Sequence, residues 1–160
     1  GNVWNLLGRR KGEKAMMLAT LIQQIEAIVT ASPYFREIVR HDVYKIEAEA
    51  ETKYGVFAYV VSSIRKGDNL TTVSFTFHAL DRLTNSSDNL TAVISESTSA
   101  MYDVLNKIEE IGLNVSNATL TPFIQTFKDI CAGVTCTCEI VVQLDTICGD
   151  VNENKTIKII

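Results

Sequence analysis

The sequence predicts an α+β domain: a mostly antiparallel sheet, made of a meander plus a C-terminal hairpin, packed by an N-terminal helix and one long central helix. Three observations predict it. Val73, Phe75, Phe77 and Ala79 alternate with Thr72, Ser74, Thr76 and His78, the two-residue period of a strand. Leu90, Ile94, Ser97, Met101, Val104, Leu105, Ile108 and Ile111 then recur at helical spacing along one stripe. Cys136, Cys138, Ile140, Val142 and Leu144 alternate again, against Thr137, Glu139, Val141 and Gln143.

The elements follow in chain order. Residues 1–14 read as a flexible N-terminal arm, in which Trp4, Leu6 and Leu7 stand beside Arg9, Arg10 and Lys11. Residues 15–160 read as one domain. Residues 15–31 form an amphipathic helix, with Leu18, Leu21, Ile22, Ile25, Ile28 and Val29 on one side. Ser32-Pro33 ends it, because the residue before a proline is driven out of helical geometry. Pro33 is also suited to open a short second helical turn over residues 34–39.

Residues 43–52 alternate: Tyr44, Ile46, Ala48 and Ala50 inward, Lys45, Glu47, Glu49 and Glu51 outward. Residues 56–64 are a nearly unbroken apolar run, the pattern of a central strand. Short turns at residues 53–55 and 65–69 join these two runs and the strand at 70–79 into the meander. Asp88 or Ser87 is placed to cap the long helix, and Gly112 to close its last turn. Residues 121–131 are ambiguous, since Phe123 and Phe127 satisfy both periods. A strand is favoured, turning at Ala132-Gly133 into the alternating run 134–145. Residues 156–160 end in a short alternating strand expected to dock on its own sheet edge or a neighbour's.

The chain is 46% hydrophobic and 21% charged with net charge −4, so it is not a nucleic-acid-binding footprint as a whole. No apolar run is long enough to cross a bilayer, and the first residues lack the apolar core of a secretory signal. The N-x-Ser/Thr sequons at Asn69, Asn85, Asn89, Asn114, Asn117 and Asn154 therefore read as polar loops.

No catalytic constellation emerges. Cys131, Cys136, Cys138 and Cys148 fit no standard zinc spacing and read as core thiols. His78 lies near Asp81 in sequence, without a nucleophile to complete a triad. Arg65-Lys66-Gly67 has the wrong order for a phosphate loop. Glu47, Glu49 and Glu51 sit roughly 6–7 Å apart on one strand face, the pattern of a solvated side. The alternative function is a small cysteine-containing enzyme or metal-binding domain using Cys131, Cys136, Cys138 and His78.

Phe75-Thr76-Phe77 and Leu80-Asp81-Arg82-Leu83-Thr84 stand ahead of the long helix. Pro122-Phe123, Phe127-Lys128-Asp129 and Cys131-Ala132-Gly133-Val134 stand ahead of the last strand. These stretches resemble a family of tailed-bacteriophage proteins, including those of crAss-like and related gut phages. The order of elements is similar to that of tail-terminator and head–tail joining proteins. The resemblance implies a tail-terminator-like fold and a structural virion protein, assembled in the bacterial host cytoplasm, with no enzymatic activity, cofactor, metal or membrane. It implies a homo-oligomeric ring at the neck or tail through which DNA passes. Its partners would be further copies of itself, other neck and tail proteins, and DNA in transit. Asp81, Arg82, Thr84, Asn85 and Ser86, with Ile157, Ile159 and Ile160, are then expected at the oligomer interface. Glu47, Glu49 and Glu51 would line the channel, where negative charge repels DNA phosphates.

Overall fold

A computed structural model describes residues 15–41, 54–84, 87–126, 129–144 and 154–159. In order they form β1 (Ala15–Met16), α1 (Leu18–Ala31), β2 (Glu37–Val39), β3 (Val56–Lys66), β4 (Thr71–Arg82), α2 (Leu90–Glu110), β5 (Asn114–Thr126) and β6 (Ile130–Leu144). The architecture is α+β, as the periodicities predict, with both helices on one face of a mostly antiparallel sheet. The sheet order is β1-β6-β4-β3-β2, and β5 also pairs with β6. The expected strand at 43–52, the arm at 1–14 and Cys148 lie outside the described residues. Among the described residues no helix is long and apolar enough to cross a membrane.

The helix-side core is built by alternation meeting helical period. Phe57, Phe75, Phe77, Val134, Cys136, Cys138 and Ile140 face Leu21, Ile25 and Val29 of α1 and Met101, Val104 and Ile108 of α2. Each such side chain contributes roughly 1.5–3 kcal/mol by leaving water, so this face dominates the stability. The predicted α2 stripe is correct, and the structure adds Val93 and Ala100 to its buried side. Gly112 closes α2 at φ +93°, donating to the Glu109 carbonyl at 2.9 Å, while Leu113 N–H reaches the Ile108 carbonyl at 3.4 Å. That pair of bonds is a Schellman closure, which an L side chain at position 112 would strain.

The structure departs from the expectations at several elements. Ala15 and Met16 are not helical: they pair parallel with Gln143 and Leu144, Met16 is buried, and α1 begins at Leu18. Residues 37–39 are a strand rather than a helical turn. They run parallel to Val56–Ala58, because Val39 and Phe35 are drawn into cores and the Arg36 N–H bonds the Gly55 carbonyl at 2.8 Å. β2 therefore lies along the first three residues of β3, and the strand expected to begin the meander, 43–52, falls outside the described residues. β3 is not buried throughout: Val56 to Tyr59 are buried, whereas the five residues from Ser62 to Lys66 are exposed.

The last hairpin differs too. β5 begins at Asn114 and the chain reverses between Thr126 and Ile130. Gly133 lies inside β6, opposite Leu80 on one side and Phe123 on the other. A Cβ there would sit 1.9 Å from the Ala79 carbonyl oxygen, so the residue reads as a turn in sequence but serves close strand approach. Finally, Asn89 stands at the start of α2, not Asp88 or Ser87. Its side chain ties the preceding loop instead of capping, accepting from Thr84 N–H at 2.8 Å and donating to the Arg82 carbonyl at 3.3 Å.

Candidate interface

β3 and β4 form one antiparallel ribbon, and its two ends carry unlike surfaces. Eleven residues of β3 at about 3.3 Å per residue set those ends roughly 30–35 Å apart. At the far end residues 62–70 are all exposed. The tip presents Arg65 and Lys66 between two apolar side chains, Ile64 (52% exposed) and Leu70 (37%). Ser62, at a register shift in the β3–β4 pairing, bonds Thr76 across the ribbon at 2.9 Å.

At the near end lies an open groove of about 600 Å³, walled by Tyr34, Arg36, Tyr54, Asp81, Arg82 and Glu96, with Pro33 and Gly55 at its margins. Its walls are anchored to the core. Tyr34 bonds the fully buried Ser97 of α2 at 2.8 Å, and burial pushes the Tyr34 hydroxyl up to about 12, so it stays protonated. Tyr34, Phe35 and Phe57 stack edge-to-face at 4.9 and 5.3 Å, and Phe57 meets Phe77 at 5.2 Å, carrying the wall into the helix-side core.

The opposite wall is a polar cluster. The Arg82 guanidinium sits 4.7 Å above the Tyr54 ring and 3.7 Å from the Asp129 carboxylate. The Tyr54 hydroxyl donates to that same carboxylate at 2.9 Å, and burial, then this bond, raises its pKa. Arg82 and Asp129 are both partly exposed, so the ion pair contributes little stability and mainly orients the arginine.

Behind this wall the sheet's second face is closed: Val39, Val56, Ala58, Leu80 and Cys131 are buried, with Tyr54 and Phe123 packed on them. His78, which alternates with Thr72, Ser74 and Thr76 on the polar face of its strand, is buried here. Its Nδ1 lies 2.9 Å from Thr135 Oγ1, and its ring meets Phe123 edge-on at 6.2 Å. The three described thiols are core groups. Burial pushes Cys131 up to about 11, and hydrogen bonding to Cys136 together with burial raises Cys138, so neither is a thiolate at neutral pH. Among the described residues no three of His, Cys, Asp and Glu stand close enough to hold a metal ion.

Of the residues expected at the interface, Asp81 and Arg82 line the groove and belong to the end of β4 rather than to a loop. Thr84 is exposed beside it, held by Asn89. Ile157 and Ile159 are 85% and 98% exposed. They are unpaired with the sheet, so of the two docks expected for this segment, the chain's own sheet edge or a neighbour's, residues 155–159 do not form the first. Asn85, Ser86, Ile160 and the stripe Glu47, Glu49 and Glu51 lie outside the described residues.

Sequence reasoning missed Tyr34, Arg36, Tyr54 and Glu96. Tyr34 and Arg36 stand where the chain reads as a short helical turn and Tyr54 where it reads as a tight turn, and Tyr34 reaches α2 across 63 residues. Pro33, the helix stop before Tyr34, was the one local signal. No protein-family model matches the chain, and no match was found among curated proteins.

Proposed function

We propose that this chain is a structural subunit of a tailed-bacteriophage virion. Copies join head to tail into a closed ring at the head–tail junction or tail, and DNA passes through it. The observation that carries the reading is the pair of unlike surfaces at opposite ends of the β3–β4 ribbon. A ring requires each copy to offer two different patches whose pairing repeats by rotation. Here one end is a projecting tip with Arg65, Lys66, Ile64 and Leu70. The other is an open groove in which the carboxylates of Asp81 and Glu96 stand with Arg36 and with Arg82, the latter tied to Asp129. The tip of one copy is received at the groove end of the next, cation to carboxylate, with Ile64 supplying apolar contact.

The order of elements leans the same way: an N-terminal helix, antiparallel strands, a long helix and a final hairpin, close to the helix, meander, long helix and hairpin of the tail-terminator and head–tail joining proteins that the sequence resembles. On this reading Glu47, Glu49 and Glu51 line the channel, and their charge keeps DNA phosphates from adhering.

The test uses two chains. Arg65→Ser/Lys66→Ser spoils the tip, and Asp81→Arg/Glu96→Arg spoils the groove. Light scattering is expected to find neither variant in rings alone. Mixed, they form heterodimers through the single pairing both retain, the intact tip of one in the intact groove of the other. Unchanged assembly of both variants, or no association of the mixture, contradicts the reading.

A further inference from the structure

The segment at residues 155–159 is Lys-Thr-Ile-Lys-Ile, and Ile157 and Ile159 are almost wholly in water, unpaired with the sheet. In extended chain the two isoleucines point the same way, roughly 6–7 Å apart. One described feature matches that spacing. Between α1 and α2 runs an open groove of about 490 Å³, floored by Ala27, Ile28, Ala31 and Ile111. Ala27 and Ala31 lie one helical turn apart, about 6 Å along α1, and leave two notches where larger side chains would fill the space. Ile28 and Ile111 are half-buried and pack against the core with their other sides.

Charge also matches. On the groove rim Lys107 is turned to Asp103 at 3.0 Å, which leaves Glu110 as the exposed rim charge for a cationic segment. Lys158, with its long stem, reaches such a rim while the isoleucines face the floor.

Among the described residues the sheet edges suit an extended segment less: β2 is only three residues long, and the outer edge of β5 is blunted. A register shift between Ser116 and Thr119, with Asn117 at φ +52°, interrupts its first half, and Pro122 removes an N–H from its second.

We infer that residues 155–159 of one copy dock in the α1–α2 groove of another, seating Ile157 and Ile159 over Ala27 and Ala31 with Lys158 at Glu110. The inference rests on the reading that copies of this chain associate, and adds a second, strap-like contact to the tip-and-groove pairing. Its occupant is a second copy of this chain.

Cysteine cross-linking of full chains tests it. Ala31 and Ile159 are exposed, so an Ala31→Cys chain and an Ile159→Cys chain both fold. Mixed under mild oxidant, they are expected to give a disulfide-linked dimer of the two different chains. Adding Ile157→Asp to the second chain cuts its yield about tenfold or more, the scale of one lost buried isoleucine. Chains that associate by light scattering yet do not cross-link overturn the strap and leave the ring reading standing. Chains that neither associate nor cross-link overturn both. A chain carrying both cysteines that closes only on itself shows the segment seated on its own groove, and likewise overturns the inference.

Discussion

Two ends of one ribbon obey the same sequence rule and do opposite things. Around Phe57, Phe75 and Phe77 the alternation of β3 and β4 is buried under α1 and α2, and the second face is closed over Val56, Ala58 and Leu80. Around Ile64 and Leu70 β3 and the turn are exposed on both faces, while β4 opposite them stays half-buried at Thr71 and Thr72 and buried at Val73. Apolar periodicity states that a segment is a strand; it does not state what covers it. Coverage depends on where the helices end and which strands lie alongside, and those are long-range facts.

Substitutions separate the two ends by size of effect. The largest is expected at the core end. Phe77→Ala removes a ring that meets both Phe57 and Phe75, and should cost about 3–5 kcal/mol in denaturant unfolding. Gly133→Ala comes next. It sets a Cβ against backbone at 1.9 Å, where nothing flexible gives way, and should cost about 2–3 kcal/mol with the strand register disturbed in amide exchange.

Tyr34→Phe, at the groove wall, strands the Ser97 hydroxyl in a fully buried site and should cost about 1–2 kcal/mol. Ser97→Ala added to it should recover part of that loss, because no polar group is then left unpaired. If the pair of changes is as costly as the sum of each alone, the hydroxyl contact is not what fixes the wall.

Glu26 sharpens the comparison through pH. Its carboxylate accepts from Arg40 Nε at 2.9 and 3.1 Å, one bond to each oxygen, from Arg40 Nη2 at 2.8 Å, and from the Tyr59 hydroxyl at 2.9 Å. Chiefly the Arg40 bond holds its pKa below the ordinary 4.5. The folded value lies below the unfolded one. The stability it contributes is therefore present above pH 4.5 and is lost as pH falls through the folded value. Glu26→Gln should flatten that part of the acid limb, by about 1 kcal/mol or less, since Arg40 is 75% exposed. The smallest effect belongs to the tip. Ile64→Thr should change unfolding by no more than about 0.5 kcal/mol while weakening association of copies.

The same contrast explains what was legible in the chain. α2, the β3–β4 ribbon and β6 were readable because each repeats one period over many residues. β1 and β2 were not, because two or three residues carry no period and become strands only by pairing with Gln143–Leu144 and Val56–Ala58. Gly133 misled because glycine signals both a turn and a close strand approach, and only the facing Ala79 carbonyl decides. At the candidate interface Asp81 and Arg82 stood out as a polar break after an apolar strand. Tyr34 and Tyr54 did not, since their roles come from Ser97 and Asp129, 63 and 75 residues away.

On the function proposed above, copies of this chain join through two unlike surfaces. Light scattering of the purified full chain across a concentration series, with negative-stain images of the same samples, tests it most directly. The account predicts discrete assemblies of one fixed size, seen end-on as closed rings. A monomer at every concentration, or a dimer that grows no further, contradicts it.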